Sequence, residues 1–395
     1  MKKILLVTDR LPGDRMSGGA LKTKKMIEHL GEWYQLKILC LSVSDTTQEK
    51  AQPDVTVLPL SSNQFAASPS NLLKSYFLKV PLSVARNRSY VSVDEYDHLF
   101  KWCDLVIIDH FFMYSYVPES FGKKVVLHQH NAEYVLWCRK YENEKNIIKR
   151  NIMKLECRRV QSYEQKICTS ANLVLAAPND ILALSKLGIP LEKFKETLHL
   201  GDDSLLATDV SNISELDPQL CFLGGLSWHA NLDGLNWFLE NCWETLCGID
   251  NNIVLNVIGE CDESIRIKLG KYHNVILHGY VDNLNDVLSN VRVFVSPLLY
   301  GSGMKVKNIT ALYKGLPIVT TSVGAEGIEL QDSVNSFIAD SPSLFVQRVA
   351  ELLADDYKSQ LMAQSARNLA LNKYSWGVHL NQIRSNLDEL LAIDG

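Results

Sequence analysis

The chain has 395 residues, of which 46% are hydrophobic and 22% are charged, as is usual for a globular protein with two domains. Its net charge of −5 at neutral pH disfavours nucleic acid as the main partner. No apolar run reaches the roughly 18 residues that a membrane-spanning helix requires. These values predict a two-domain globular protein.

The nine cysteines are scattered, form no CxxC pair and are odd in number. We therefore expect reduced thiols in a cytoplasmic protein. No group of histidine, cysteine and aspartate residues has the spacing of metal ligands along the chain, so no metal site is predicted.

The first domain, predicted for residues 1–202, opens with a strand at 3–9, a glycine loop, a helix over 20–31 and a second strand. This order indicates a parallel sheet with a right-handed crossover. Gly18 and Gly19 lie in the loop after the first strand, at the edge where open α/β sheets bind ligands. The same pair could equally be a turn that needs small residues.

Two further apolar runs of the first domain end in polar residues. A strand predicted at 103–112 ends near Asp109 and His110, and one predicted at 123–134 carries His130. Polar side chains at the carboxyl tip of a buried strand are well placed for chemistry. His130 could donate a hydrogen bond or carry a proton near neutral pH, or it could only cap the helix that follows.

A long polar helix is predicted over 143–168. Its cations could form a solvated face, or they could rest on an anionic membrane surface, and the sequence leaves both open. The cluster consists of Lys149, Arg150, Lys154, Arg158 and Arg159.

The alternation of strands and helices restarts in the second half of the chain. Residues 203–219 are polar and aperiodic, which predicts a linker before a second domain over 220–374. A terminal helix at 375–395 is expected to cross back to the first domain. The predicted fold class is α/β, with two Rossmann-like αβα domains facing each other across a cleft. The glycine loops lack the GxGxxG and P-loop patterns, which argues against standard NAD, FAD and P-loop ATP sites.

The stretch 291–327 reads as strand, glycine loop, helix and strand. Its helix is predicted over 306–314, because apolar residues recur at helical spacing and Gly315 suits a left-handed cap. Lys305 and Lys307 stand at the start of this helix, where cations are unfavourable unless an anion lies between them. The spacing therefore suggests an anion site, although two solvated lysines would give the same pattern.

Several motifs together resemble the GT-B glycosyltransferases of family 4, or group 1, over nearly the whole chain. The strongest is SPLLYGSGMKVKNITALYKGLPIVTTSVGAEGIEL, which is similar to the family's glycine loop, basic residues, helix and Gly-x-Glu-Gly turn. FLGGLSWHANLDGLNWFLENCW resembles the opening of the family's second domain, and HQHNAEY its His-Asn-x-Glu segment. The Ser17–Gly19 loop and the YSW segment at 374–376 are also typical of the family.

The resemblance implies transfer of a sugar, with retention, from a nucleotide-diphosphate sugar to a glycan, a lipid-linked or another acceptor. It implies synthesis of a cell-surface polysaccharide or glycoconjugate, without metal or cofactor. The first domain would face the acceptor, and the second would hold the nucleotide-sugar donor. A lipid-linked acceptor would place the protein at the inner face of a membrane as a peripheral protein, whereas other acceptors leave it in the cytoplasm.

The resemblance also implies roles for single residues. His130 would lie over the donor sugar, Lys305 would neutralise the diphosphate, and Glu326 would lie near the sugar or the diphosphate. The implied donor-binding residues are Gly18, Gly19, Gly225, His229, Gly301, Ser302, Gly303, Met304, Lys307 and Thr310.

Two alternatives remain open, and a departure from the family pattern motivates the first of them. The chain has Thr310 where the family usually carries a glutamate that binds the ribose hydroxyls, and a threonine cannot accept two hydrogen bonds in that bidentate way. A catalytically silent GT-B subunit that binds a partner or substrate is one alternative. A sugar-nucleotide epimerase on the same fold is the other.

Overall fold

A computed structural model describes residues 1–12, 18–43, 54–59, 69–89, 91–144, 146–301 and 304–392. It divides the chain into two compact units. The first unit comprises Met1–His199 and Leu380–Gly395, and the second comprises Leu200–His379.

Within the described residues, the first unit has a sheet of seven parallel strands. The strands are β1 (Lys3–Leu11), β2 (Gln35–Val43), β3 (Asp54–Val57), β4 (Leu105–Asp109), β5 (Lys124–His128), β6 (Leu173–Ala176) and β7 (Phe194–Glu196). Their order in the sheet is β3-β2-β1-β4-β5-β6-β7. The central strands are apolar without alternation because helices cover both faces of a parallel sheet.

The helices described in the first unit lie mostly between consecutive strands, as crossover connections require. They are α1 (Gly18–Trp33), α2 (Pro69–Phe77), α3 (Leu82–Arg86), α4 (Val93–Trp102), α5 (Glu133–Asn143), α6 (Ile147–Ser170) and α7 (Pro178–Ser185).

The described part of the second unit has a parallel sheet of six strands. The strands are β8 (Gln219–Leu223), β9 (Val254–Ile258), β10 (Val275–Gly279), β11 (Val293–Ser296), β12 (Ile318–Thr320) and β13 (Phe337–Ile338), in the order β10-β9-β8-β11-β12-β13. Both units therefore show the α/β, Rossmann-like architecture that the sequence predicts.

The helices of the second unit pack on this sheet around a core that includes Phe222, Phe238 and Phe345. They are α8 (His229–Phe238), α9 (Glu244–Ile249), α10 (Glu263–Leu269), α11 (Leu284–Leu288), α12 (Val306–Lys314), α13 (Ser322–Ala325), α14 (Pro342–Ala354) and α15 (Asp356–Leu369). Helix α12 has the predicted bounds, and its C-cap Gly315 is left-handed at φ 71°.

The last helix, α16 (Trp376–Ala392), begins in the second unit and continues into the first from Leu380 onward. Within the first unit, Asp388 accepts a hydrogen bond of 2.6 Å from the Tyr34 hydroxyl, and Arg384 stacks on the Trp33 ring. The residues predicted to form a linker, 203–219, belong to the second unit and contain two short 3₁₀ helices.

The expectation that all nine cysteines are reduced was wrong for one pair. Cys138 on α5 and Cys157 on α6 form a disulfide. The two helices pack against each other and bring the Cα atoms to 5.4 Å, within the usual range for a disulfide. A separation of 19 residues matches no cysteine motif, so the pairing depends on tertiary packing.

Within the described ranges, none of the helices combines the length and the apolar character that crossing a lipid bilayer requires.

Candidate functional site

Helix α12 begins beside two lysines, and the peptide N–H groups of its first turn point toward that end of the helix. Lys305 is the N-cap residue, and its side chain does not cap the helix. The first-turn N–H groups and the helix dipole therefore favour an anion at this end. Gly301, which precedes the helix, has φ 126°, a conformation that glycine adopts without strain. The predicted site residues Ser302 and Gly303 lie outside the described residues.

The ammonium groups of both lysines are held close to protein groups. Lys305 is buried, with Nζ 3.4 Å from the Gly301 carbonyl oxygen and 3.9 Å from the Glu326 carboxylate. Lys307 lies over the Phe222 ring at 4.7 Å. Burial lowers the pKa of Lys305. Burial and the charge of Lys305 lower the pKa of Lys307 to about 7.

Asn231 connects Lys307 to the glycine turn after β8. Its side-chain oxygen accepts a hydrogen bond from the Lys307 ammonium, and its Nδ2 donates to the Gly225 carbonyl at 2.9 Å. Asn231 is buried near the start of α8, so one side chain holds α8, α12 and the glycine turn in register. Sequence analysis missed this residue, because its role depends on a contact 76 residues away.

The other predicted donor residues have different environments. Glu326 follows α13 and its side chain is exposed, whereas His229 is the exposed first residue of α8. Thr310 is buried, and its hydroxyl donates to the Val306 carbonyl at 3.1 Å. The hydroxyl proton of Thr310 is therefore already used inside α12. Met304 lies beside Gly327, where an added Cβ would come within 3.2 Å of the Met304 Cα.

A cavity of about 360 Å³ opens at the carboxyl ends of β8, β9 and β10. Its lining includes Leu223, Ile258, Gly259, Tyr280 and Asn283. This is the sheet edge at which open α/β folds bind ligands. Leu223, which lines the cavity, directly precedes the Gly224–Gly225 turn. The Gly225 carbonyl of this turn accepts a hydrogen bond from Asn231.

The first unit contains a second polar cluster, built around Asp109. The pairing of β4 with β5 sets Asp109 beside His128. The fully buried Asp109 carboxylate is 2.8 Å from His128 Nδ1 and 2.6 Å from His130 Nε2. Its other oxygen accepts hydrogen bonds from the hydroxyls of Thr8 and Thr23. Because an ionised carboxylate only accepts, both imidazoles donate toward Asp109.

Burial would raise the pKa of Asp109, but electrostatic interaction with His130 and His110 and the hydrogen bonds from His128 and His130 hold this pKa well below its usual value. Burial lowers the pKa of His130 and lowers that of His128 well below the usual value. Both imidazoles are therefore neutral at pH 7, and Asp109 is ionised.

The His130 ring is held from several sides. The His110 ring stacks on it with centroids 3.8 Å apart, and His110 has φ 75°, which is unusual for a residue with a side chain. Nε2 of His199 donates to the His130 carbonyl at 3.0 Å. Burial lowers the pKa of His199 to about 3. The strand predicted to run through 112 ends at Asp109, because positive φ at His110 stops the extended chain. The strand predicted to run through 134 ends at His128.

The loop that carries His130 is fixed by two carboxylates, of which Glu164 is buried and Asp180 is half-buried. Glu164 on α6 accepts from the backbone N–H groups of Glu133 and Tyr134, and from the Gln129 side chain. Asp180 accepts from the backbone N–H of Ala132. His130 itself lies before α5 and does not serve as its N-cap, which is Ala132.

Lys22 is a buried cation near this cluster that sequence analysis missed. It is 2% exposed, and its ammonium has no hydrogen-bond partner within the described part of the chain. Burial lowers its pKa to about 7, against the opposing effect of Asp109 and Asp180. Lys22 lies in the first turns of α1, which begins at Gly18 and Gly19. A lysine shortly after a glycine pair was the available sequence signal.

Comparison with known proteins identifies the family that the second unit matches. Residues 217–355 match the family model for glycosyl transferases of group 1. The second unit belongs to the group 1 glycosyltransferases. A Klebsiella pneumoniae protein, described as an uncharacterized 44.6 kDa protein in the cps region, is 24% identical over 363 residues, which are 88% of this chain and 90% of that protein.

Solved structures show that the glycosyltransferase fold extends over the whole chain. HepE from Anabaena, solved in complex with UDP, superposes with a TM-score of 0.66 at 15% identity, covering 98% of this chain and all of that one. A glycosyltransferase from Rickettsia africae gives a TM-score of 0.64 at 11% identity, with 99% of each chain covered. The GT-B fold predicted from the motifs is therefore confirmed.

In the glycosyltransferase domain the structure brings together Lys305, Lys307, Gly301 and Glu326, with Gly225 joined to them through Asn231. His130, Gly18 and Gly19 belong to the first unit.

Asp109, His128 and His130 also offer ligand atoms that all lie within 4.8 Å of one another, as a metal site would. The cluster was not predicted, because it joins β4 to β5 and to the loop after β5, which are separate in sequence. The nitrogens that face Asp109 already hydrogen-bond to it, and nearby Lys22 opposes a further cation. The donor set therefore fits a hydrogen-bonded cluster better than a metal centre.

Proposed function

We propose that this glycosyltransferase moves a sugar from a UDP-sugar to a glycan or lipid-linked acceptor, with retention and without metal or cofactor. The observation that carries the proposal is the pair of partly desolvated lysines, Lys305 and Lys307, at the start of α12. Two cations at this end of a helix repel each other and the dipole unless an anion joins them. A diphosphate leaving group is such an anion, and its negative charge grows during the transfer.

The neighbouring cavity supports the choice of a nucleotide. With the diphosphate on Lys305 and Lys307, the nucleoside would lie along the Gly224–Gly225 turn and enter the cavity near Gly259 and Tyr280. A volume of about 360 Å³ suits a ligand of this size. HepE, which shares the fold, was solved with UDP and with UDP-glucose. The Klebsiella relative lies in a cps region, which supports a role in cell-surface polysaccharide or glycoconjugate synthesis.

The proposed role of His130 is to hydrogen-bond the donor sugar or to steady positive charge at the anomeric carbon. Its Nε2 donates to Asp109, so the ring is oriented, and Nδ1 is proposed to accept a hydrogen bond from the ligand. Asp109 acts through His130 and is a positioning residue. Glu326, exposed and 3.9 Å from Lys305, is proposed to contact the sugar or the diphosphate.

A panel of UDP-, GDP- and dTDP-sugars tests the proposal by thermal shift, followed by product analysis. We expect UDP-sugars to raise Tm most, and transfer to continue in EDTA with the anomeric configuration retained, as read by proton NMR. No shift with any nucleotide would favour a catalytically silent subunit. Conversion of a labelled donor to its epimer without acceptor would instead identify a sugar-nucleotide epimerase.

Donor affinity is expected to depend on pH through Lys307. Its pKa is about 7 in the free protein, and a bound diphosphate would raise it, so binding above pH 7 takes up a proton. The dissociation constant for UDP should therefore rise between about pH 7 and 9, by at most about tenfold per unit. Calorimetry of the wild type against Lys307→Arg checks this, because arginine stays charged and should give a flat profile. A flat profile for the wild type would contradict it.

Gly259→Ala is expected to disrupt the turn that borders the cavity. Gly259 has φ 144°, and an added Cβ would lie 2.2 Å from the Gly224 carbonyl oxygen and 2.9 Å from the Gly225 nitrogen. Both are backbone atoms, so the turn must move, at a cost of about 1–3 kcal/mol. We expect a lower Tm and weaker UDP binding by calorimetry. Gly248→Ala is the control, because its Cβ would meet nothing within 4 Å, and equal effects of the two variants would contradict the prediction.

A further inference from the structure

Helices α2 and α6 expose large apolar side chains. On α2, Tyr76 and Phe77 are 66% and 75% exposed. On α6, Ile148 is 74% exposed, and Ile152 and Leu155 are also exposed. Soluble surfaces tolerate single apolar residues, but a group of this size marks a surface for a partner.

The two helices form one surface, because the apolar row of α6 leads to the end of α2. Ile148, Ile152 and Leu155 share one face of α6 with Arg159, since their positions are i, i+4, i+7 and i+11. The Arg159 guanidinium donates to the Ser75 and Val80 carbonyls and to the Ser75 hydroxyl. The same stretch is held a second time, because the backbone N–H of Leu82 donates to the Glu156 carboxylate on α6.

The surface is also positively charged throughout. Residues 69–89 contain four lysines and arginines and no acid, a formal charge of +4. Residues 146–163 contain five lysines and arginines and one acidic residue, which again gives a formal charge of +4. That acid, Glu156, is buried and paired with Arg159, so it does not offset the exposed cations. Seven exposed cations thus lie on these two segments of a chain whose net charge is −5, namely Lys74, Lys79, Arg88, Lys149, Arg150, Lys154 and Arg158.

We propose that this α2–α6 surface docks on a bilayer that contains anionic phospholipid. Exposed aromatic and aliphatic side chains enter the interfacial region, while lysines and arginines beside them bind lipid phosphates. Arg150 and Lys154 stack on the Tyr141 ring, which places two cations next to the apolar row of α6. A second copy of the chain fits poorly as the occupant, because two copies of a surface with seven exposed cations would repel one another.

The first test uses the full-length wild-type chain and vesicle co-sedimentation. We expect binding to phosphatidylcholine vesicles that contain phosphatidylglycerol, little binding to phosphatidylcholine alone, and a loss of about tenfold in high salt. Equal sedimentation with both vesicles, or none with either, overturns the proposal. Mass photometry tests the other candidate occupant, a second copy of the chain. A dimer that fails to bind vesicles would mean that a second copy covers the surface.

Matched variants locate the contact. Tyr76→Ser with Phe77→Ser and Ile148→Ser should abolish vesicle binding, and Arg150→Gln with Lys154→Gln should weaken it about tenfold. All five residues are exposed, so Tm should hardly change. The controls are four substitutions of exposed residues elsewhere, Ile267→Ser, Tyr357→Ser, Lys166→Gln and Lys186→Gln. If these controls lose as much vesicle binding as the variants of the α2–α6 surface, that surface is not the contact.

The proposal does not depend on the donor site. A variant that no longer binds vesicles should still show the wild-type thermal shift with UDP. Loss of membrane binding together with an intact UDP response therefore separates this surface from the proposed transferase activity.

Discussion

Lys305→Ala is expected to weaken UDP binding by about 100-fold and to leave the fold almost unchanged. The lysine stands at the N-cap of α12, where its charge and the first-turn N–H groups would meet the diphosphate. Losing one charged donor to a buried anion costs about 2–4 kcal/mol. Two of its contacts within the protein, to the Gly301 carbonyl oxygen at 3.4 Å and to the Glu326 carboxylate at 3.9 Å, are long, and each contributes little to stability.

Lys314→Ala is the matched control, because it removes a lysine from the other end of the same helix. Lys314 is buried, and its ammonium donates to Thr208, Asp209 and Asn285. This control should lower Tm and leave UDP affinity near the wild-type value. Calorimetry measures the UDP affinity of both variants, and thermal unfolding measures their Tm. Equal losses of affinity and stability in Lys305→Ala would show that Lys305 is a structural residue.

Asp109→Ala is expected to destabilise the first unit by about 3–5 kcal/mol. The carboxylate is fully buried and is joined to Thr8, Thr23, His128 and His130, so its removal breaks four hydrogen bonds. It also leaves the Lys22 ammonium without the nearby negative charge. Urea unfolding of the wild type and the variant measures the difference.

The pH dependence of that difference has a definite sign. The folded-state pKa of Asp109 lies well below its usual value, so the ionised form stabilises the folded protein at neutral pH. The free-energy difference should be complete above about pH 4 and shrink as pH falls further, toward the lowered folded-state pKa. Thr23→Val removes one of the four partners and should cost only about 1 kcal/mol. A similar cost for both variants would mean that Asp109 is not the centre of the cluster.

The best sequence predictions were those that rest on local signals. Helix α12 has the predicted bounds because apolar spacing, Gly315 and Pro317 all lie within one short stretch. The polar tips of β4 and β5 were recognised for the same reason. Their meeting at Asp109 was not foreseen, because it depends on the register that sets Asp109 beside His128.

The unpredicted features are contacts between residues far apart in sequence. Asn231 joins Lys307 across 76 residues, and Cys138 meets Cys157 because α5 packs on α6. The α2–α6 surface likewise needed the structure, since Arg159 reaches Ser75 across 84 residues. Composition alone revealed the cations of α6 but not the apolar residues of α2 beside them.

A crystal structure of the chain with UDP is the most direct test of the claim that a diphosphate binds where α12 begins. We expect phosphate oxygens within hydrogen-bond distance of the Lys305 and Lys307 ammonium groups and of the first-turn N–H groups, with the uracil in the cavity beside Gly259. Phosphates bound elsewhere, with both lysines left in contact only with protein and solvent, would contradict the account.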